Sequence, residues 1–273
     1  MSSVTDGVVA FLGPAGTFSE QAVRAVFGRE AKAIAEPDFD AVLDAVESGE
    51  ARFGVIAIEN NTNGTVTHAL DLLLERRLCI VGEVSVPVVH NLLTLEKRLE
   101  DVRRVYAHAQ ALAQCRGWLS RHMPDAERIA VSSNAEGARR ASIERGAAGI
   151  AAIVAADIYG LRAAAGEGNR TRFLVMAREP EMILETPKAF KTSIVFSVPN
   201  VPGSLYDMMT PMAENGVQMV RIESRPARNG FWDYNFFIDV EGSVETPGVR
   251  EALAAMEART EHWRLLGSYP VVD

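Results

Sequence analysis

Short apolar runs alternate with helical patterns through the first two thirds of this chain, and this alternation constrains the fold more than any other feature. Residues 8–12 and 53–58 are continuous apolar runs, as expected for strands that are buried on both faces. Apolar residues at helical spacing follow at 18–27 and at 39–46. The pattern predicts an α/β fold with doubly wound parallel sheets, in which ligands bind beyond the carboxyl ends of the strands.

Capping signals mark the expected helix starts. Thr17 is followed three residues later by Glu20, and Ser133 by Glu136, which is the spacing of a capping box. Asp38 is a further N-cap candidate, and Gly49 lies where that helix would end. The middle of the chain continues the alternation, with strands expected at 102–106, 129–131, 148–154 and 172–176 and a helix at about 108–121.

The last third has a different order of elements. A charged, proline-containing stretch at about 178–188 predicts a linker. Beyond it the pattern predicts strands at 192–198, 217–223, 231–240 and 262–269, with helices at 203–214 and 247–259. This βαββαβ order is typical of a ferredoxin-like sandwich.

Composition limits the class of protein. With 28 Lys and Arg against 36 Asp and Glu, the formal net charge is −8, and 48% of the residues are hydrophobic. Such a chain can bury a core, and its acidity argues against nucleic-acid binding, because phosphate contacts need a basic face. No apolar run reaches the roughly 18 residues of a membrane span, and residues 1–7 lack a secretory signal, so a cytoplasmic protein without membrane contact is predicted.

Cysteine and histidine spacing gives no sign of a disulfide or a metal site. Cys79 and Cys115 are far apart and belong to no Cys-x-x-Cys pair, and the five histidines show no metal-ligand spacing. Two reduced thiols are expected.

Four polar clusters lie at predicted strand ends, and each has a functional and a purely structural interpretation. The loop 13–17 could hold an anion on its backbone N–H groups, or it could be an ordinary turn. The cluster 59–65 places a carboxylate after a buried strand, or it is a solvated loop. The third cluster places His108, Gln110 and Gln114 on one helix. The fourth, at 169–173, sets a threonine between two arginines that suit a carboxylate-bearing substrate. Each of these two clusters could be exposed surface instead.

In their order along the chain, these segments resemble the prephenate dehydratase family with its C-terminal ACT regulatory domain. The motifs that carry the resemblance are Phe11-Leu12-Gly13-Pro14-Ala15-Gly16-Thr17-Phe18, Ile58-Glu59-Asn60, His90-Asn91-Leu92, Gln110-Ala111-Leu112-Ala113-Gln114-Cys115, Thr171-Arg172-Phe173 and Glu223-Ser224-Arg225-Pro226. The resemblance covers nearly the whole chain. It implies a carbon–oxygen lyase that converts prephenate to phenylpyruvate in L-phenylalanine biosynthesis, with no cofactor and no metal.

The resemblance also implies a domain layout. A two-lobed, periplasmic-binding-protein-like catalytic domain is expected at 1–182, with lobe 1 at about 1–84 and 165–182 and lobe 2 at about 85–164. A linker at 183–190 and an ACT domain at 191–273 follow.

Site residues are carried over from the family by the same motifs. The resemblance implies the catalytic residues Thr171, Glu59, Asn60 and Gln114, and the substrate-binding residues Arg172, Phe173, Gly16, Thr17, Asn61 and Gln110. Thr171 would donate a proton or hydrogen bond to the departing hydroxide, and Arg172 would pair with a substrate carboxylate.

Departures from the family pattern leave other activities open. Ala57 and Asn61 replace the usual Pro and Ser or Thr, and Ala107 and Ala109 replace Ser and Pro. The alternatives are an arogenate dehydratase, a non-aromatising prephenate decarboxylase, or an amino-acid sensor without catalysis. Retention of Thr171 favours dehydration.

The resemblance further implies control by L-phenylalanine as effector. Its binding residues would be Asn200, Pro202, Gly203, Ser204, Leu205, Glu223, Ser224 and Arg225. ACT domains usually pair side by side, so a homodimer or homotetramer is expected, with the pocket at a subunit interface. An ACT domain that serves only for dimerisation is the alternative.

Overall fold

The computed structural model describes residues 7–61, 64–227, 234–260 and 262–272, which fall into two compact units. The cleft unit comprises 7–69 and 85–173, and the C-terminal unit comprises 70–84 and 174–272. The domain boundaries expected at 182 and 191 stay a prediction.

The first part of the cleft unit is built on three parallel strands. In chain order its elements are β1 (Val9–Leu12), α1 (Phe18–Phe27), β2 (Ala33–Glu36), α2 (Phe39–Ser48), β3 (Phe53–Asn60) and β4 (Gly64–Thr65). β1 lies between β2 and β3 and is parallel to both. Val9 and Phe53 are fully buried, as expected for strands covered on both faces. The helix α3 (Thr67–Glu75) begins in this unit and ends in the other.

The second part of the cleft unit repeats the arrangement around a central strand. Its elements are β5 (Cys79–Thr94), β6 (Arg104–Ala107), α4 (Ala109–Gln114), α5 (Arg116–His122), β7 (Glu127–Ala130), α6 (Asn134–Ile143), β8 (Ala147–Ala151), α7 (Val154–Tyr159) and β9 (Arg162–Ala177). β6 is parallel to β7 and β8, and the end of β5 is antiparallel to β8. α6 lies very close to the strands at Gly137. A Cβ at this position would stand 2.6 Å from the carbonyl oxygen of Tyr106, so the close approach needs a glycine.

The C-terminal unit has the βαββαβ order expected from the sequence. Its elements are β10 (Phe190–Ser197), α8 (Ser204–Glu214), β11 (Met219–Pro226), β12 (Tyr234–Glu241), α9 (Pro247–Glu257) and β13 (His262–Val272). The strands pair in the order β11-β12-β10-β13, all antiparallel. α8 and α9 cover one face of this sheet through a common apolar core, which includes Ile194, Phe196, Met208, Met212, Ile238, Val240, Val249, Leu253 and Met256.

The capping signals are confirmed, and several element bounds are corrected. The side chains of Thr17, Asp38 and Ser133 each accept a backbone N–H three residues ahead. The helix expected at 108–121 is two helices, because the backbone of Cys115 turns to ψ 3° and ends α4. The strand expected at 148–154 ends at Ala151, because α7 begins at Val154. β2, β4, β5, α3 and α7 were not expected. Residues 231–233 of the strand expected at 231–240 lie outside the described residues.

Three cationic side chains of the C-terminal unit hold the segment 71–83. Arg225 makes a two-point contact with the carboxylate of Asp71, at 2.7 and 2.9 Å from Nη2. Lys191 Nζ lies 2.5 Å from the buried carboxylate of Glu83. Arg264 donates to the carbonyl oxygens of Leu73, Arg76 and Leu78, where α3 ends. Leu73 lies in the last turn of α3, and Arg76 and Leu78 follow the helix, so Arg264 binds the carboxyl end of α3 and the chain that leaves it.

Replacing Arg264 with Met keeps the apolar stem of the side chain but removes its donors from three carbonyl oxygens. We expect a loss of about 2 kcal/mol of unfolding free energy, since a hydrogen bond that involves a charged group contributes about 1.5–3 kcal/mol. For a chain of this size the Tm should fall by about 4–8 °C in scanning calorimetry.

The exposed Arg178 provides the matched control. Arg178→Met removes the same charge but none of these three hydrogen bonds, so its Tm should stay close to that of the wild type. An equal fall in both variants would show that loss of charge, and not loss of the cap, is responsible.

Candidate active site

A cleft of about 440 Å³ lies at the carboxyl ends of the strands in the cleft unit. Residues that follow β1, β2, β6, β7 and β8 line it, together with residues of β3, β5 and β9, as expected for an α/β fold. The lining residues are Leu12, Gly13, Gly16, Thr17, Phe18, Ser19, Pro37, Ala57, Asn60, His90, His108, Gln110, Ala111, Gln114, Ser132, Ser133, Asn134, Ala152, Thr171 and Phe173.

Asn60 and Thr171 meet in this cleft although 111 residues separate them in the sequence. The Asn60 Nδ2 donates to Thr171 Oγ1 at 2.8 Å, and Thr171 is buried. The threonine oxygen is the acceptor in this bond, so its own O–H proton is still available for donation. Asn60 therefore fixes a hydroxyl group that can donate a hydrogen bond into the cleft.

Glu59 and Arg172 do not line the cleft but pair with each other. Arg172 Nη2 lies 3.2 Å from Glu59 Oε2. Their sequence neighbours Asn60 and Thr171 both line the cleft. Direct contact of Glu59 and Arg172 with the substrate stays a prediction.

The loop 13–17 is less suited to binding an anion than the sequence suggested. Gly16 N–H donates to the carboxylate of Glu20 at 2.7 Å, and Gly13 N–H donates to the carbonyl of Glu36. Gly16 has φ +85°, a conformation that favours glycine. Gly16 and Thr17 line the cleft as expected, but these two backbone donors are already engaged.

Asn61 links the ends of β3 and β9. Its N–H donates to the Arg170 carbonyl and its Oδ1 accepts from the Arg170 N–H, both at 3.0 Å. Asn61 does not line the cleft, so its contact with the substrate stays a prediction. Thr62, Asn63 and the side chain of Asn169, from the same two polar clusters, lie outside what the structure describes.

The family models decide which family this arrangement belongs to. The model described as prephenate dehydratase matches residues 9–181, and the ACT domain model matches residues 192–258. This chain belongs to the prephenate dehydratase family. The resemblance inferred from the motifs is confirmed, as is the fold class.

Relatives and solved structures agree with the family assignment. The chain is 42% identical over 270 residues to a bifunctional chorismate mutase/prephenate dehydratase of Stutzerimonas stutzeri, covering 96% of this chain and 73% of that protein. The structure of a prephenate dehydratase from Arthrobacter aurescens in complex with L-Phe is 34% identical, with a TM-score of 0.85, and 96% of this chain and 89% of that chain are covered. A structure described as a novel type of quorum-quenching acylase is 31% identical, with a TM-score of 0.86 and coverage of 97% and 98%.

The structure brings Gln110, Gln114 and Phe173 together, and their roles stay predictions. All three line the cleft, and both glutamines lie on α4. Gln114 Oε1 is 2.6 Å from His90 Nε2. His90 belongs to a quoted motif, but sequence reasoning gave it no role.

Sequence reasoning also missed the cleft residues at the start of α6. Ser132, Ser133 and Asn134 line the cleft, and Asn134 Oδ1 accepts the backbone N–H of His108 at 2.9 Å. The capping box at Ser133 was the available signal, but it was interpreted only as a helix start. No group of three or more His, Cys, Asp or Glu that could hold a metal ion occurs among the described residues. In that part of the chain, no helix is both long and apolar enough for a membrane span.

The residues predicted to bind an effector lie in two places in the C-terminal unit. Gly203 is the N-cap of α8, and Ser204 N–H donates to the Val201 carbonyl. A cavity of about 600 Å³ beside α8 includes Ser204. Glu223, Ser224 and Arg225 lie on β11, where Arg225 contacts Asp71 and not the turn at 200–205. Their joint role in binding an effector stays a prediction.

Glu136 stabilises the start of α6 at the cleft. Hydrogen bonds from Arg139 and Arg140 lower the pKa of its carboxyl group to about 2. Its folded-state pKa therefore lies below the ordinary value of 4.5. The stabilisation is complete above that ordinary value and is lost as the pH falls toward the folded-state pKa.

The Tm gap between wild type and Glu136→Gln tests this assignment. We expect the gap to be largest near neutral pH and to shrink between pH ~6 and pH ~3, because the unfolded carboxyl group is protonated first. The corresponding difference in unfolding free energy should not exceed about 1 kcal/mol, since the arginine partners are exposed. A gap that stays constant over this pH range would contradict the assignment.

Proposed function

We propose that this chain is a prephenate dehydratase, which converts prephenate to phenylpyruvate with loss of carbon dioxide and water. The observation that carries the proposal is the hydrogen bond from Asn60 to Thr171 at the strand ends of the cleft. The family assignment supports the reaction class. The product would serve L-phenylalanine biosynthesis.

The proposed reaction balances without an oxidant, a reductant or a metal ion. The bond between the ring and its carboxylate breaks, and its electron pair moves into the ring as carbon dioxide leaves. The ring C–O bond breaks at the other end, and the hydroxide takes a proton to leave as water. Formation of the aromatic ring drives both steps, so the protein has to hold the substrate and assist the leaving group.

Thr171 is the residue that we assign to the leaving group. Its hydroxyl donates to the departing oxygen while Asn60 holds it in place. An alcohol is a weak acid, so Thr171 acts through a strong hydrogen bond or relays a proton. A positioned proton donor contributes about 10²–10⁴-fold in rate.

Neutral donors surround the proposed substrate. Among the described residues that line the cleft there is no Asp, Glu, Lys or Arg, and the side-chain donors include Gln110, Gln114, Asn134 and Ser132. We assign Gly16, Thr17 and Phe173 to the substrate wall. The ion pair of Glu59 and Arg172 lies beside Asn60 and Thr171, and direct contact of Arg172 with a substrate carboxylate stays a prediction.

Removing the Thr171 hydroxyl tests the proposed mechanism. Thr171→Ala should lower kcat by at least about a hundredfold with little change in KM, as expected for an interaction made in the transition state. Thr171→Ser keeps the hydroxyl and is the matched control. Near-wild-type turnover of a folded Thr171→Ala protein would contradict the assignment.

Product identification separates the alternative activities. Phenylpyruvate formed from prephenate supports the proposal, whereas a preference for arogenate indicates an arogenate dehydratase. A dihydro-hydroxyphenylpyruvate product indicates a decarboxylase, and binding without turnover indicates a sensor. Because one structural relative is described as an acylase, hydrolysis of N-acyl amides completes the panel.

We further propose that L-phenylalanine is the effector and binds at the C-terminal ACT domain. The ACT family match and the L-Phe complex of the Arthrobacter relative support this proposal. A homo-oligomer and a cytoplasmic location belong to the same proposal. The open edge of β11, where Val220 and Ile222 are each about 40% exposed, is the surface we assign to pairing.

Calorimetric titration with L-phenylalanine tests the effector proposal. Saturable binding and reduced turnover are expected, and Arg225→Ala should weaken binding at least tenfold, because a two-point cationic contact is lost from β11. The exposed Arg250 provides the control variant Arg250→Ala. No heat and unchanged turnover at millimolar L-phenylalanine would leave the domain as an oligomerisation scaffold.

A further inference from the structure

His90 contacts a proposed catalytic side chain at the wall of the cleft. It lies on β5, and its Nε2 is 2.6 Å from Gln114 Oε1, at the last residue of α4. Both residues line the cleft. We infer that His90 is a positioning residue, which turns the amide of Gln114 so that its NH₂ group donates to the substrate. This inference rests on the proposed function.

Hydrogen-bond chemistry fixes the orientation of this pair. An amide oxygen can only accept, so the imidazole Nε2 carries the proton and donates it. The NH₂ group is then the part of the Gln114 amide left to face the cleft. The opposite orientation would present an oxygen to a substrate that carries two carboxylates, which would be repulsive.

The imidazole itself is held in place. The ring of Phe18 packs edge-to-face on it, with centroids 5.8 Å apart and an interplanar angle of 78°. The next residue, Asn91, donates from Nδ2 to the carbonyls of Val89 and Ala151 and so fixes β5 against β8. Packing therefore fixes the position of the imidazole ring, and with it the direction of the Nε2–H bond.

The geometry also separates His90 from the role of general acid. The Nε2 proton is committed to Gln114, whereas Thr171 presents the hydroxyl assigned to the leaving group. A proton shared with an amide oxygen at this distance is not delivered to another group without breaking the bond. His90 therefore acts through Gln114.

A double-mutant cycle tests the inference. His90→Leu removes the donor but keeps an apolar side chain, and we expect kcat to fall 10- to 100-fold with KM changed less than threefold. Gln114→Leu should have a similar effect, and the double variant should be no worse than Gln114→Leu alone, because both changes remove one interaction. His90→Gln, whose amide can donate, should recover most of the lost kcat.

Gln110 provides the matched control on the same helix. It lies one turn before Gln114 on α4 and also lines the cleft, but its backbone N–H contacts His108 and not His90. The losses caused by Gln110→Leu and His90→Leu should therefore multiply. If the losses of His90→Leu and Gln114→Leu also multiply, or if His90→Gln is no better than His90→Leu, the inference is wrong.

A spectroscopic measurement distinguishes failure of the inference from failure of the proposed function. In ¹⁵N-histidine protein the wild type should show an Nε2-protonated imidazole whose signal is lost in His90→Leu and shifts in Gln114→Leu. If this signal is present but neither the wild type nor any variant turns over prephenate, the proposed function fails. The catalytic role of the pair then fails with it. If wild type turns over prephenate and the signal does not respond to Gln114→Leu, only the inference fails.

Discussion

The cleft depends on the hydrogen bond that joins the end of β3 to the middle of β9. Asn60 donates to Thr171, and next to it Asn61 and Arg170 exchange two further hydrogen bonds. These contacts bring together segments about 110 residues apart, so the pair of Asn60 and Thr171 exists only in the folded chain. The ion pair of Glu59 and Arg172 joins the same two strands beside this bond.

The segment 71–83 is held within the C-terminal unit. The two residues of β4 pair with Glu59 and Asn60, and α3 begins two residues later. Within the C-terminal unit, Arg225 binds the Asp71 carboxylate of α3. Arg264 donates to three carbonyl oxygens at and after the end of this helix. Control by an effector requires two states that the effector and the substrate bias differently. An effector bound near β11 would compete with Asp71 for Arg225, and this competition gives such a bias a physical basis.

Local chemistry explains what could be predicted from the sequence. Capping boxes act within four residues and apolar periodicity reflects one buried face, so α1, α2 and α6 were predicted well. The clusters at strand ends were predicted because parallel strands place their carboxyl ends at one edge. Other features depend on tertiary packing or on side-chain direction. They are the break at Cys115, the contact of Arg225 with Asp71 and the hydrogen bond from Gly16 to Glu20. The face on which Arg172 lies depends on the register of β9, and spacing alone did not reveal it.

The electrostatics of the cleft explain how an acidic chain can bind a dianion. The net charge of −8 repels such a substrate at long range, but salt at physiological strength screens this repulsion beyond about 8 Å. Within the cleft the described lining residues include no carboxylate, and the first residues of α1 and α6, Phe18 and Asn134, both lie there. Glu20 and Glu136 in the first turns of these helices offset the positive ends of the helix dipoles. We therefore expect side-chain amides such as Gln110 and Gln114 to replace the hydration of the substrate carboxylates. A substrate held by neutral dipoles loses carbon dioxide more readily than one clamped by guanidinium groups, because a strong ion pair would stabilise the carboxylate that has to leave.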